Sequence, residues 1–291
     1  DIALASARLR GVVKETPLQL NKRLSTRAGA QVWLKREDLQ PVRSYKIRGA
    51  YNLISQLSET ERHAGVICAS AGNHGQGVAY ACAALGIKGR IFVPSTTPRQ
   101  KRDRMRELGG EFVKLIVTGD TYDEAAQAAY AEAWDSGATM VPAFDDPRTI
   151  AGQGTLALEL LEQLPEIDTV LVPLSGGGLV SGVALALKAA KPGVRVVAVS
   201  AAATPVMLRS VVAGTPVELP EVRTLADSLG GGIGAANRFT LPLVSALVDE
   251  HVEVPEAAIG EAMAHLLVEE RLVAEGGAAV GVAVLLSGHV R

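Results

Sequence analysis

The sequence has little that would tie it to nucleic acid, a membrane or an oxidising compartment. Only two of its 291 residues are cysteine, Cys68 and Cys82, both inside apolar segments. They offer no disulfide framework and no metal-ligand spacing, so a reducing compartment is expected. Aromatic residues make up 4% of the chain, too few for a surface that stacks on bases or sugars. The net charge of −2 removes the electrostatic case for a nucleic-acid or membrane-surface partner. No apolar run is long enough to span a bilayer and no secretory pattern opens the chain, so the expected location is cytoplasmic. The first residue is not Met, and trimming of the N-terminus is expected. Repeats, linkers and low-complexity tracts are absent as well.

What is present is an alternation of short Val/Ile/Leu-rich runs with helical stretches. Strands are predicted at Gly65–Cys68, Arg90–Val93, Glu111–Val117, Thr139–Val141, Thr169–Val172 and Val194–Val199. Helices are predicted at Ala50–Leu57, Gly75–Leu85, Gln100–Leu108 and Thr121–Trp134, the last three stopped by Gly86, Gly109 and Gly137. Continuous apolar strands separated by helices indicate parallel sheets covered on both faces, the α/β class. The basic run Arg99–Arg106 follows Pro98 and reads as a solvated helix face. With no linker, a second domain has to be an insertion. A small α/β domain is expected over residues 64–144, inside a large domain formed by 1–63 and 145–291, with the site in the cleft between them.

Two loops and one lysine carry chemistry. After the strand ending at Cys68 comes Ala69-Ser70-Ala71-Gly72-Asn73-His74-Gly75-Gln76-Gly77. A strand, a polar turn and a helix gather backbone N–H groups at a helix N-terminus, which suits a carboxylate. An ordinary turn capped by Ser or Asn remains open as the alternative. The second loop is Leu174-Ser175-Gly176-Gly177-Gly178-Leu179, where glycines let the backbone curl around a phosphate. A dinucleotide turn would need an acidic residue after the next strand, but Ser200 is followed by Ala201, Ala202 and Ala203. A bare phosphate group fits better. Lys46, in Ser44-Tyr45-Lys46-Ile47-Arg48-Gly49-Ala50, is either a surface lysine or a partly buried amine fit for Schiff-base chemistry.

Together SYKIRGA, ASAGNHGQGVAYA, AGQGT (Ala151–Thr155), SGGGL and AEGGAAVG (Ala274–Gly281) resemble the threonine/serine dehydratases of pyridoxal-phosphate fold type II, in order and over nearly the whole chain. KREDLQPVRSYKIRGAYNL is particularly close to threonine dehydratases. The resemblance implies pyridoxal 5'-phosphate as cofactor and two parallel-sheet α/β domains. It implies that Lys46 holds the cofactor as a Schiff base and moves the substrate's α-proton, with Tyr45 packed against the ring and Asn73 bonded to the ring hydroxyl. Ser175, Gly176, Gly177, Gly178 and Leu179 would cradle the phosphate, and Ser70, Ala71, Gly72, Asn73 and His74 would bind the substrate carboxylate. The implied reaction is α,β-elimination of water from L-threonine or L-serine, giving 2-oxobutyrate or pyruvate and ammonia, in a homo-oligomer (dimer or tetramer).

The chain also departs from its relatives. Ala71 stands where serine racemases carry a second serine, which favours elimination over racemisation. His74 stands where the cysteine-synthase branch has threonine. The LSGGGL variant, with ADSLGGGIG (Ala226–Gly234), resembles dehydratases of hydroxyectoine breakdown, so a related β-hydroxy amino acid is the alternative substrate. Ser200 and Val206 occupy the positions of a carboxylate pair that binds a divalent cation in many relatives, so no metal is expected there. The family sets a serine against the pyridine nitrogen on a strand beyond AEGGAAVG. This sequence ends at Arg291, and Ser287-Gly288 reads as a helix end, so either that strand is missing or the nitrogen meets another group. A cofactor-binding protein without activity is the non-enzymatic alternative, and no room is expected for a C-terminal regulatory domain.

Overall fold

A computed structural model describes residues 1–289; the chain end at Arg291 lies outside the described residues. The first third runs α1 (Ile2–Leu9), β1 (Leu18–Leu20), α2 (Lys22–Ala28), β2 (Trp33–Lys35), α3 (Lys46–Ile54), α4 (Glu59–Ala64), β3 (Val66–Ala69), α5 (Asn73–Leu85) and β4 (Gly89–Val93). Then come α6 (Arg99–Gly109), β5 (Val113–Val117), α7 (Tyr122–Ser136), β6 (Thr139–Met140), α8 (Pro147–Gln163), β7 (Thr169–Pro173) and α9 (Gly178–Ala190). The last are β8 (Arg195–Ala201), α10 (Val206–Ala213), α11 (Thr240–Leu247), β9 (Glu250–Val254), α12 (Glu256–Val268) and α13 (Gly276–Ser287).

The chain divides into two compact units, the first formed by Asp1–Lys14 and Glu37–Gln153, the second by Glu15–Arg36 and Gly154–Arg291. The expected insertion 64–144 falls whole within the first unit, which also takes in residues 1–14, 37–63 and 145–153.

The first unit is built on a parallel sheet of order β5-β4-β3-β6. Strand residues alternate between its faces. Val66, Cys68, Ile91 and Val93 pack with α3 and α5 and with Met105 of α6, while Ile67 and Phe92 pack on Ala125, Ala129 and Ala133 of α7. The small alanines let α7 lie close to the sheet. Because β4 and β5 lie on one side of β3 and β6 on the other, strand order reverses between β3 and β6. In open α/β sheets ligands bind at the carboxyl ends of strands at such a reversal.

The second unit has the parallel sheet β7-β8-β9 and the antiparallel ribbon β1-β2. Val197, Val199, Ala201 and Val254 pack against α12 and α13, with Leu24 of α2 in the same core. The ribbon and β9 were not anticipated. Charged residues line β9 in Glu-His-Val-Glu-Val and weaken its apolar signal, but Glu250 and Glu253 are paired with Arg195 and Arg209.

Most expected boundaries move by one to four residues; α6 runs through the expected stop at Gly109 and is capped by Gly110. Residues 110–112 form a 3-10 turn after Gly110 takes a left-handed φ of 52°, so β5 starts at Val113 and not at Glu111. Helix α3 starts at Lys46, four residues before the expected Ala50. Gly49, a poor helix residue, sits inside it because a Cβ there would lie 2.5 Å from Nε2 of Gln153 and 2.9 Å from Cγ2 of Thr149.

Candidate active site

Lys46 is the first residue of α3, and the packing of that helix decides where its amine goes. Two glycine contacts hold it. A Cβ on Gly77 of α5 would lie 3.1 Å from the carbonyl carbon and oxygen of Lys46. A Cβ on Gly152 of α8 would lie 2.5 Å from the carbonyl oxygen of Arg48 and 2.6 Å from Cα of Gly49. The α8 backbone thus approaches α3 more closely at Gly152 than any larger residue allows, and the α5 approach at Gly77 is tighter than nearly all Cβ contacts. Beside the second contact, the Gly49 amide donates to Oε1 of buried Gln153 at 3.2 Å. From below, the fully buried Arg48 guanidinium forms a two-bond pair with Glu37, 2.8 Å at each nitrogen. A buried pair of this fork geometry fixes orientation because removing one partner strands the other charge.

The Lys46 side chain is half-buried. Its Nζ donates to the Ala143 carbonyl at 2.9 Å and stands 5.4 Å from the centre of the Tyr45 ring. Ala143 lies just past the carboxyl end of β6. The Ser70 loop leaves the carboxyl end of the neighbouring β3, so these sequence-predicted groups of the first unit meet at the strand reversal. Ser70 Oγ accepts from the Gly72 and Gly75 amides at 3.3 and 3.1 Å. With its oxygen so engaged, the hydroxyl proton remains available to an acceptor. Ala71, Gly72 and Asn73 are half-buried, and Asn73 opens α5, a helix of 13 residues whose first amides point towards the loop. A Cβ on Gly75 would lie 2.6 Å from the Ser70 carbonyl oxygen, which explains glycine there.

His74 is buried, and its Nε2 is 2.7 Å from the Val141 carbonyl. A carbonyl has no proton to give, so Nε2 carries the hydrogen and Nδ1 is a lone pair, left without a partner. Burial, then the Lys46 charge, pull the ring's pKa down from 6.5 to about 3 against the opposing effect of the Val141 bond. His74 is therefore neutral at physiological pH, a donor and not an acid. Cys68 and Cys82 are buried and free, and burial pushes both thiols upwards, Cys82 to about 12. Neither is a nucleophile.

In the second unit, Ser175, Gly176 and Gly177 link β7 to α9, with Gly178 and Leu179 as the helix's first residues. Gly177 has a φ of 87°, and a Cβ on it would meet Met207, Thr240 and Val244 at 2.9 to 3.1 Å. Both its conformation and its surroundings require glycine. Thr240 is itself held by the Asn237 side-chain amide at 2.7 Å, which also ties the preceding loop to the Ile233 carbonyl. The loop thus presents the amides of a 13-residue helix with a supported backbone.

Sequence reasoning missed Glu37, Arg48, Thr149 and Gln153. Arg48 and Gln153 stood inside SYKIRGA and AGQGT, but only packing tells a buried arginine or glutamine from a solvated one.

Residues 9–291 match the family model described as pyridoxal-phosphate dependent enzyme. The biosynthetic L-threonine dehydratase of Mycobacterium tuberculosis is 49% identical over 293 residues, covering 100% of this chain and 68% of that protein. Among solved structures, maize serine racemase is 35% identical with a TM-score of 0.93, over 99% of this chain and 86% of that one. Threonine deaminase isoform 2 from Solanum lycopersicum is 37% identical with a TM-score of 0.92, over 99% of this chain and 83% of that one.

Proposed function

Because the chain belongs to the family of pyridoxal-phosphate dependent enzymes, we propose that it eliminates water from L-threonine or L-serine, hydrolysis then releasing ammonia, with Lys46 as its essential amine. The observation that carries the reading is the Lys46 amine, half-buried, bonded to the Ala143 carbonyl and set beside an anion-ready loop at a strand reversal. The dehydratase similarity over the full chain supports the same reaction.

The residues fit the cofactor. Lys46 supplies an amine to hold it, Tyr45 an aromatic face beside that amine, and Asn73 an amide for its ring hydroxyl. Ser175 to Leu179 supply backbone amides for a phosphate, on a loop where a Cβ at Gly177 would collide. Ser44 Oγ, His74 Nδ1 and Gln153 Nε2, all in residues on or against the Lys46 helix and its loop, are buried polar atoms without a partner. When bound, pyridoxal phosphate supplies an aldehyde for the lysine and a ring that takes up the electron pair left at the substrate's α-carbon.

The chain's own groups would do the rest. Ser70, with its hydroxyl proton free, and the amides of Ala71, Gly72, Asn73 and His74 would hold the substrate carboxylate. Lys46 would take the α-proton, the β-hydroxyl would leave with a proton as water, and the enamine released would, as its imine, be hydrolysed by water to the 2-oxo acid and ammonia. The products are 2-oxobutyrate and ammonia from threonine, or pyruvate and ammonia from serine. Ala71 carries no hydroxyl to return a proton on the opposite side, so elimination is favoured over racemisation. The free cysteines fit a cytoplasmic setting, and light scattering would decide between dimer and tetramer.

The test is a substrate panel with 2-oxo acid detection. L-threonine is expected to give 2-oxobutyrate, and Lys46→Ala to lose the protein's visible absorbance and about 10²- to 10⁴-fold in kcat. A colourless wild type overturns the cofactor assignment. D-serine without 2-oxo acid would make it a racemase, and turnover of a bulkier β-hydroxy amino acid alone would move the substrate to the hydroxyectoine class.

A further inference from the structure

Three consecutive carbonyls after β6 each accept a hydrogen bond from a different side chain. Val141 O accepts from His74 Nε2 at 2.7 Å, Pro142 O from Thr149 Oγ1 at 3.2 Å, and Ala143 O from Lys46 Nζ at 2.9 Å. The donors come from α5, α8 and α3, and they are 67, 7 and 97 residues from their acceptors in sequence. Thr149 and His74 are buried. The segment is also pinned at its start, where the Val141 amide donates to the Ile67 carbonyl of β3 at 2.8 Å. Proline at 142 locks its own φ and restricts the residue before it.

We propose that Val141–Ala143 is a bracket that sets the direction of the Lys46 amine, and that His74 and Thr149 are positioning residues that hold the bracket. This rests on the reading of Lys46 as the amine that takes the cofactor. A neutral lysine has two N–H groups and one lone pair. The bond to Ala143 O uses one N–H and so confines the lone pair to the two remaining positions on the nitrogen. A carbonyl free to rotate would not orient it, because peptide planes turn easily where nothing holds them. Lys46, a cation until it sheds the proton that frees its lone pair, is the titratable group that faces His74, and His74 holds the bracket as a neutral donor, so its hold does not change as pH crosses the physiological range.

The experiment starts from apoprotein, adds pyridoxal phosphate, and quenches with borohydride at intervals. Mass spectrometry then follows the reduced adduct at Lys46, and steady-state kinetics are measured on the reloaded enzyme. Thr149→Val keeps the side chain's shape without the hydroxyl, and His74→Phe keeps a ring without the N–H. Each is expected to slow adduct formation and kcat about 10- to 100-fold, the scale of a displaced reacting group, with KM changed by less than about threefold. Thr149→Ser and His74→Gln, which keep a donor, are expected to restore most of both rates. A solely structural role would lower the melting temperature in all four variants and leave the donor-keeping pair no better than the others. That result, or wild-type rates in Thr149→Val and His74→Phe, overturns the bracket. If one variant fails to fold, the other position decides, since both predict the same loss. A wild type labelled elsewhere than Lys46 overturns the functional reading itself, and is distinguished by its first measurement.

Discussion

At the scale of single residues, the decisive feature is which polar atoms have been taken out of water and on what terms. His74 is the clearest case. Its ring is neutral when folded because burial penalises the charged form, and the Lys46 charge adds to that. The folded pKa of about 3 lies below the ordinary 6.5, so the unfolded chain binds the extra proton first. The stability contributed by neutral His74 is therefore complete above pH 6.5 and is lost as pH falls towards 3. The expected slope is up to about 1.4 kcal/mol per pH unit over that window. Urea unfolding at pH 7, 6 and 5 would read it, with His74→Gln losing one proton's worth of slope. An unchanged slope would mean that the ring titrates normally. Arg48 and Glu37 illustrate the other solution, a charge buried with a fork-matched partner.

At the scale of elements, close approach between helices explains the glycines better than flexibility does. Gly to Ala inside a helix ordinarily adds about 1 kcal/mol of helix stability. At Gly152 the sign is expected to reverse, because the new Cβ meets the α3 backbone at 2.5 Å and cannot push it aside without moving Lys46. Gly152→Ala is expected to cost about 1–3 kcal/mol in denaturant unfolding, the usual penalty of overpacking. Gly260→Ala inside α12 serves as the control, since its Cβ position meets only Cδ1 of Leu225 at an ordinary 3.5 Å. Equal stabilities for the two variants would show that α3 and α8 tolerate more distance than the crossing implies. The three bracket donors belong to the same scale: helices α3, α5 and α8 each send one side chain to one short segment.

At the scale of the whole molecule, each unit has its own parallel sheet, its own apolar core and its own candidate loop. Lys46 and the Ser70 loop belong to the first, the Ser175–Leu179 loop to the second. A ligand that binds only the folded chain stabilises it by mass action. Pyridoxal phosphate at about a hundredfold over its Kd is expected to add about 2.7 kcal/mol, read as a rise in melting temperature. Lys46→Ala should keep only the part of that rise due to the phosphate and ring contacts. No rise in the wild type at saturating cofactor would contradict the fit of these residues to it.

The sequence alone determined what depends on local order. Continuous apolar runs marked six of the strands in the described sheets, because burial on both faces leaves no polar alternation. Glycine spacing revealed both loops, since only backbone conformation and the absence of a Cβ are at issue there. The start of α3 at Lys46 was hidden because Gly49, which argues against a helix, is explained by the side chains of Thr149 and Gln153, about a hundred residues away. The Glu37–Arg48 pair, the Gln153 contact and the carbonyl bracket were hidden for the same reason. Whether Lys46 was one more solvated lysine or a held amine depended on Ala143, 97 residues on, and only tertiary structure brings those two together.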